Sequence, residues 1–228
     1  MEKYTRAVTF SFDDGNIFDL ELVELFNRYG LKCSFNLNSG LYGTGDVWDY
    51  HGIQVSKPEV LKPEYYTGHE ICIHGLKHLA PTELNREQLL KEFGEDKKNL
   101  EGIFGQKIEG AAYAYGCYNE LSFAVLRELG ILHCRTVEST WDFGPQENML
   151  AYKPAGHFND ANMFDKIDAF FRDETPENRI LYIWGHSYEC AGDGLWGRME
   201  DIMKAVSGRE GVLYAPNTEC FRRLGFIR

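Results

Sequence analysis

Two pairs of residues in this chain have the types and the spacing of a hydrolytic metal site. Asp13 and Asp14 close an apolar run near the start, and His74 and His78 stand four positions apart in the segment HGLKH. On a helical turn, that spacing puts both imidazoles on one side of the backbone. Two histidines and one carboxylate form a ligand set found at catalytic zinc ions. The second carboxylate is then free to accept a proton from an activated water molecule.

The same residues also have a purely structural interpretation. An Asp-Gly pair such as Asp14-Gly15 is common in turns, and two histidines beside a strand end can be polar turn residues. A lone H-x-x-x-H spacing is a weak metal signature. The metal hypothesis therefore depends on whether the fold brings the carboxylates and the imidazoles together.

The elements that would position these side chains alternate between strand-like and helix-like segments, with the longest amphipathic helix over residues 86–104. Such alternation favours a mainly parallel sheet with helices outside it. Predicted strands end at Asp13–Asp14, His74, Tyr115 and His186. Functional sites in such folds collect at the carboxyl ends of the strands, so we expect these residues to meet.

The length of the chain indicates a single catalytic domain over residues 1–228. A segment rich in glycine, aspartate and aromatic residues, from Leu41 to Lys57, is predicted to be a loop that could shape the cleft. Six scattered cysteines without a C-x-x-C pair indicate buried thiols rather than a disulfide framework.

Charge and hydropathy exclude several classes of binding partner. A formal net charge of −11 and a pI near 5.1 argue against nucleic acid and anionic membranes. No apolar run approaches the ~20 residues of a membrane span. The first residues hold no signal-peptide core, so we expect a cytoplasmic protein, although removal of an export signal would leave the same sequence.

At its two strongest motifs, TFSFDDG and HGLKH, the chain resembles the polysaccharide deacetylases, which are also called carbohydrate esterase family 4 or NodB-homology enzymes. The resemblance implies a distorted (β/α) barrel of about seven strands. It implies that Asp14, His74 and His78 hold a divalent metal, zinc in most members and cobalt or nickel in some. It makes Asp13 the general base.

The third motif of that family is only half present here. In AAYAYG, Tyr115 fits the family tyrosine, whose backbone N–H is the implied oxyanion donor. Ala112 stands where the family has an arginine that orients the base. Arg135, at the next predicted strand end, is a candidate to supply this guanidinium at the substrate site, and a surface or strand-end role is its alternative.

The late segment ILYIWGHSYE resembles the fifth motif, which makes His186 the general acid. Its carboxylate partner is predicted to be Asp142, with Glu138 and Glu189 left open. Trp141 and Trp184 are the aromatic residues expected nearest the cleft, where they could stack on a sugar ring, and core packing is the alternative.

These features together predict a metal-dependent hydrolase that removes N-acetyl groups from an amino sugar, an oligosaccharide or a polysaccharide. A second hypothesis keeps the chemistry but assigns a small amide, imide or ureide as the substrate. A third is a non-catalytic carbohydrate-binding protein, which the alanine at position 112 and the poor fourth motif favour. The acyl group, the native metal and the oligomeric state are not determined by the sequence.

Overall fold

A single parallel sheet forms the centre of the computed structural model, which describes residues 4–228. The strands are β1 (Arg6–Asp14), β2 (Cys33–Leu37), β3 (Val47–Tyr50), β4 (Ile53–Ser56), β5 (Glu70–Ile73), β6 (Gly110–Ala112), β7 (His133–Arg135), β8 (Gly156–His157), β9 (Arg179–His186) and β10 (Val212–Tyr214). The helices are α1 (Asp19–Arg28), α2 (Arg86–Phe104), α3 (Glu120–Glu128), α4 (Met163–Arg172), α5 (Ser187–Gly192), α6 (Trp196–Val206) and α7 (Asn217–Arg223).

Seven strands follow one another in the order β7-β6-β5-β2-β1-β9-β8, and β10 pairs with the start of β1. All pairings in this sheet are parallel. The predicted distorted barrel of about seven strands is therefore confirmed. Because β5, β2, β1 and β9 are neighbours, their carboxyl ends lie side by side and form one floor for the site.

Burial explains why β1 is the central strand. Its residues from Ala7 to Asp13 are all buried, as expected of a parallel strand covered on both faces. On one face Phe10 packs edge-to-face on Phe26 of α1, with ring centroids 5.0 Å apart. The strand ends before Gly15, whose φ of +64° and close contact with Tyr42 exclude a side chain.

Helix α2 matches the predicted span at both ends. It begins with a capping box in which Asn85 and Gln88 each accept a backbone N–H of the other. It ends before Gly105, which adopts the left-handed conformation at φ 63°. Leu89, Phe93 and Leu100 form its buried stripe against the sheet. Local sequence rules therefore suffice for this element.

Two features differ from the sequence-based expectations. The segment from Leu41 to Lys57 is not only a loop, since it contains the antiparallel hairpin of β3 and β4. The cysteines are unpaired thiols as expected, but Cys117 is partly exposed while the other five are buried. No helix within residues 4–228 is long and apolar enough to cross a membrane.

Candidate metal centre and active site

The three predicted metal ligands lie together at the carboxyl ends of β1 and β5. Asp14 is the last residue of β1, and His74 and His78 occupy the turn that follows β5. Asp14 Oδ1 lies 3.6 Å from His74 Nε2 and 3.5 Å from His78 Nε2. One ligand atom from each residue falls within 4.8 Å of the others. The fold therefore assembles a His₂-carboxylate set.

The chemistry of this donor set fits a divalent ion. His74 Nδ1 lies 2.9 Å from the carbonyl of Ala112, and donation there leaves the lone pair on Nε2. Burial, aided by the neighbouring His74, lowers the pKa of His78 to about 4, so this imidazole is neutral and able to coordinate. Burial alone would raise the pKa of Asp14, but His186 and His74 outweigh it and keep the carboxyl ionised.

Backbone strain concentrates at the same place. Within residues 4–228, four non-glycine residues have positive φ angles: Asp14, His51, His78 and Tyr115. Two of these are predicted metal ligands and a third lines the cleft beside them. A left-handed conformation costs a non-glycine residue roughly 1–3 kcal/mol and persists only where the surroundings impose it. The ligand positions are thus held by structure beyond their own segments.

Asp13 lies beside the ligand set, buried among polar partners. Its carboxylate pairs with the Arg135 guanidinium, accepts a hydrogen bond of 2.7 Å from Asn36, and lies 3.8 Å from His74 Nε2. Burial would raise its pKa, but Arg135, with His74 and His186, lowers it to about 2. Asp13 is therefore ionised and held in one orientation.

Arg135 supplies the guanidinium that the alanine at position 112 lacks. The two residues are direct partners across β6 and β7, so the side chain reaches Asp13 from the neighbouring strand. The guanidinium lies 4.3 Å above the Trp184 ring, and the residue is 1% exposed. The prediction that Arg135 binds substrate is wrong, because its side chain contacts Asp13 and is too buried to meet a ligand.

Arg135→Met is expected to lower the free energy of unfolding by about 3–5 kcal/mol, because it leaves the Asp13 carboxylate buried without its partner. Arg172→Met is the matched control, since it breaks an ion pair with Asp168 whose side chains are 81% and 67% exposed. Such exposed pairs contribute little, so the control should change far less. Urea denaturation of both variants measures this, and equal losses would contradict the buried pairing.

His186 ends β9 beside the metal ligands, with its Nε2 3.9 Å from Asp14 Oδ2, and it pairs with Glu189. Its Nδ1 lies 3.2 Å from Glu189 Oε1, and the other oxygen of that carboxylate lies 2.8 Å from His157 Nε2. Burial alone would lower the pKa of His186, but Glu189 and the carboxylates of Asp14 and Asp13 raise it to about 9. The imidazole is thus protonated near neutral pH.

Asp142 does not partner His186, and that prediction is corrected. Its side chain is 67% exposed in the loop after β7, where Oδ1 accepts the backbone N–H of Gly144 in a local turn. Glu138 is also occupied elsewhere, at 2.7 Å from Lys153 Nζ. The partner comes instead from the first turn of the helix that His186 itself caps.

The two predicted tryptophans have different positions. Trp184 lies close to the site, 5.6 Å from the His186 ring, but it is 8% exposed and lies beneath Arg135. It therefore supports the site and offers no open face to a sugar. Trp141 is 52% exposed and lines a separate concavity with Asp160 and Lys166, outside the cleft that contains the metal ligands.

A cleft of about 410 Å³ opens onto the metal ligands. Asp14 and His78 form its floor, and its aromatic lining is Tyr115, Trp48 and Tyr188. Tyr115 is 66% exposed, and its ring centroid lies 4.5 Å from that of His78. Tyr115, whose backbone N–H is the predicted oxyanion donor, therefore borders the cleft beside His78.

A sequence model described as polysaccharide deacetylase matches residues 2–134 of the chain. The chain belongs to the polysaccharide deacetylase family. This confirms the resemblance drawn from the DDG and HGLKH motifs. Chitin deacetylase 1 of Cryptococcus neoformans var. grubii is 31% identical over 77 residues. That match covers 34% of this chain and 16% of the curated relative, so the chain spans only a small part of its length.

Solved structures described as carbohydrate esterase family 4 proteins share the fold. The Xyl-CE4 domain of a multidomain xylanase from the hindgut metagenome of Trinervitermes trinervoides superimposes with a TM-score of 0.62 at 13% identity, covering 96% of this chain and 91% of that one. A family 4 carbohydrate esterase from Streptomyces lividans, in complex with acetate, gives 0.56 at 16% identity and 92% of both chains. A family 4 pseudoenzyme from Bacillus anthracis gives 0.53 at 10% identity, covering 96% and 66%.

Several residues of this polysaccharide deacetylase site escaped the sequence reasoning. Asn36 and Asn38 lie at the end of β2, and Lys57 follows β4 beside Asp14. Glu189 did not escape, since it was an open alternative for the partner of His186, and His157 could be considered only as a loop residue able to reach the site, without a local motif. The signal for the asparagines was available, because polar residues on an apolar strand indicate a site. The positions of His157 and Lys57 depend on long-range packing.

Proposed function

We propose that this member of the polysaccharide deacetylase family is a divalent-metal-dependent hydrolase that removes N-acetyl groups from an amino sugar or a short oligosaccharide. The observation that carries the proposal is the convergence of Asp14, His74 and His78 with the Arg135-paired Asp13 and the Glu189-paired His186. A carbohydrate-binding protein without catalysis has no need for this combination. Zinc is the proposed ion, with cobalt and nickel as alternatives.

Asp13 is proposed as the general base. A divalent ion held by Asp14, His74 and His78 would act as a Lewis acid on the substrate carbonyl and on a water molecule. The ionised Asp13 carboxylate, oriented by Asn36, accepts the proton of the attacking water.

Two groups act at the other atoms of the amide. The backbone N–H of Tyr115 donates to the carbonyl oxygen as negative charge develops there. His186 donates its proton to the leaving nitrogen, and Glu189 stabilises the imidazolium before transfer. The C–N bond breaks, and the products are acetate and a free amine.

The size of the cleft favours a small soluble amide as the second candidate. Its volume of about 410 Å³ is in the lower part of the range typical of small-molecule sites. The aromatic lining suits a sugar ring equally well.

A substrate panel separates these candidates. Acetate release from chitopentaose and from N-acetylglucosamine would be compared with the hydrolysis of a cyclic imide and a linear ureide by the same metal-loaded sample. The proposal predicts acetate release from at least one amino sugar at a higher kcat/KM than hydrolysis of either small amide. Turnover of the imide or ureide alone would assign the second function.

A further inference from the structure

The end of the β3–β4 hairpin contacts the backbone of the metal site directly. Lys57 Nζ donates to the backbone carbonyl of Asp14 and to Asn38 Oδ1, the latter at 3.2 Å. Asn38 is fully buried, and its Nδ2 donates to the carbonyls of His74 at 2.9 Å and Gly75 at 2.8 Å. One lysine and one asparagine thus connect the backbones of both ligand-bearing segments.

These contacts fall where the backbone needs support. Asp14 has a φ of 77° and Gly75 a φ of 87°, so neither ligand-bearing turn is regular. A carbonyl fixed by a cationic donor cannot rotate freely, because a charge-assisted hydrogen bond is roughly twice as strong as a neutral one. The direction of the Asp14 carboxylate toward His74 and His78 therefore depends on Lys57.

Lys57 is itself held in place by the hairpin. Its ammonium lies 5.8 Å from the ring centroid of Trp48 and 5.7 Å from that of Tyr42. The carbonyl of Ser56 accepts the backbone N–H of Ile17 at 3.0 Å, which joins β4 to the segment after β1. The lysine is thus anchored on both sides and does not depend on substrate for its position.

We propose that Lys57 and Asn38 form a brace that fixes the metal ligands Asp14 and His74, which makes Lys57 a positioning residue for metal binding. This inference rests on the proposed metal-dependent function. It assigns the hairpin a role beyond shaping the cleft, since without Lys57 the ligand set loses its preorganisation. Groups that hydrogen-bond to metal-ligating residues typically contribute about 10–100-fold to metal affinity.

Lys57→Met tests the brace because the positioning role and simple electrostatics predict opposite changes in metal affinity. Removing a positive charge beside a cation site should tighten metal binding if charge repulsion were the only effect. Loss of the brace should instead weaken it by about 10–100-fold. Lys62→Met is the matched control, because Lys62 is an exposed lysine that also lies over a tyrosine ring, 5.7 Å from the centroid of Tyr65, but neither lines the cleft nor belongs to a ligand-bearing turn.

The measurement is a Co²⁺ titration of metal-free protein, in which the visible absorption of the bound ion reports binding. Lys57→Met should bind about 10–100-fold more weakly with an altered spectrum, Lys57→Arg should recover most of the affinity, and Lys62→Met should match the unsubstituted protein. Circular dichroism of the metal-free variants checks folding, and Lys57→Gln replaces the methionine variant if that one does not fold.

The possible outcomes distinguish failure of the brace from failure of the proposed metal-dependent function. Unchanged or tighter Co²⁺ binding by Lys57→Met or Lys57→Gln, with normal binding by the unsubstituted protein, would overturn the brace and leave the proposed function intact. Absence of saturable Co²⁺ binding by the unsubstituted protein would overturn both.

Discussion

Asp13→Asn is expected to lower kcat for deacetylation by about 10²–10⁴-fold while the divalent ion stays bound. Asparagine matches the shape of aspartate but cannot accept the proton of the attacking water. The ligands Asp14, His74 and His78 are unchanged, so metal content should be close to that of the unsubstituted protein. Acetate release and elemental analysis on the same samples measure both quantities.

This substitution also affects stability, and the design must separate the two effects. It leaves Arg135 buried without its carboxylate, which costs about 3–5 kcal/mol. Assays should therefore run well below the melting temperature, with folding checked by circular dichroism. Asp168→Asn is the control carboxylate, since it lies in an exposed ion pair away from the cleft. Full activity in Asp13→Asn would exclude Asp13 as the base.

His186→Gln is expected to lower amide hydrolysis by about 10²–10⁴-fold and to have a much smaller effect on an activated phenyl ester. The amide nitrogen is too basic to depart without a proton, whereas a nitrophenolate departs without one. The ratio of the two activities therefore reports on proton donation specifically. A general loss of folding or metal would reduce both activities together.

Glu189→Gln should share this selectivity to a smaller degree, because it removes the carboxylate that raises the pKa of His186. Asp142→Asn is the matched control, since that carboxylate contacts a turn and not His186. Equal losses on amide and ester in His186→Gln would contradict its assignment as the general acid. A selective loss in Asp142→Asn would restore the partner predicted from sequence.

The sequence was most informative where local pattern and topology coincide. The residues Asp13, Asp14, His74 and His186 each follow a run that is recognisably a buried strand, and the alternation of elements implies a parallel sheet. Since parallel strands end at the same edge, their proximity followed without coordinates. Helix α2 was equally clear, because both its capping box and its terminal glycine are local signals.

The site assignments that the sequence left open or made incorrectly depend on strand register and on packing between distant segments. Arg135 was a candidate for the guanidinium missing at position 112, but only the pairing of β6 with β7 decides between that role and a surface position. Asp142 was chosen by motif order, but a tight turn directs it to solvent. Glu189 had an overlooked local signal, because the segment HSYE places it three residues after His186 in a capping box.

The most direct test of the central claim is metal dependence of acetate release by the unsubstituted protein and by His74→Ala. Chelator-treated samples would be titrated with Zn²⁺ or Co²⁺, and acetate release from chitopentaose would be followed alongside bound metal. We predict that activity disappears on chelation and returns with about one ion per chain, and that His74→Ala recovers neither metal nor activity. Full acetate release by the chelated protein, or by His74→Ala, would contradict the proposed metal centre.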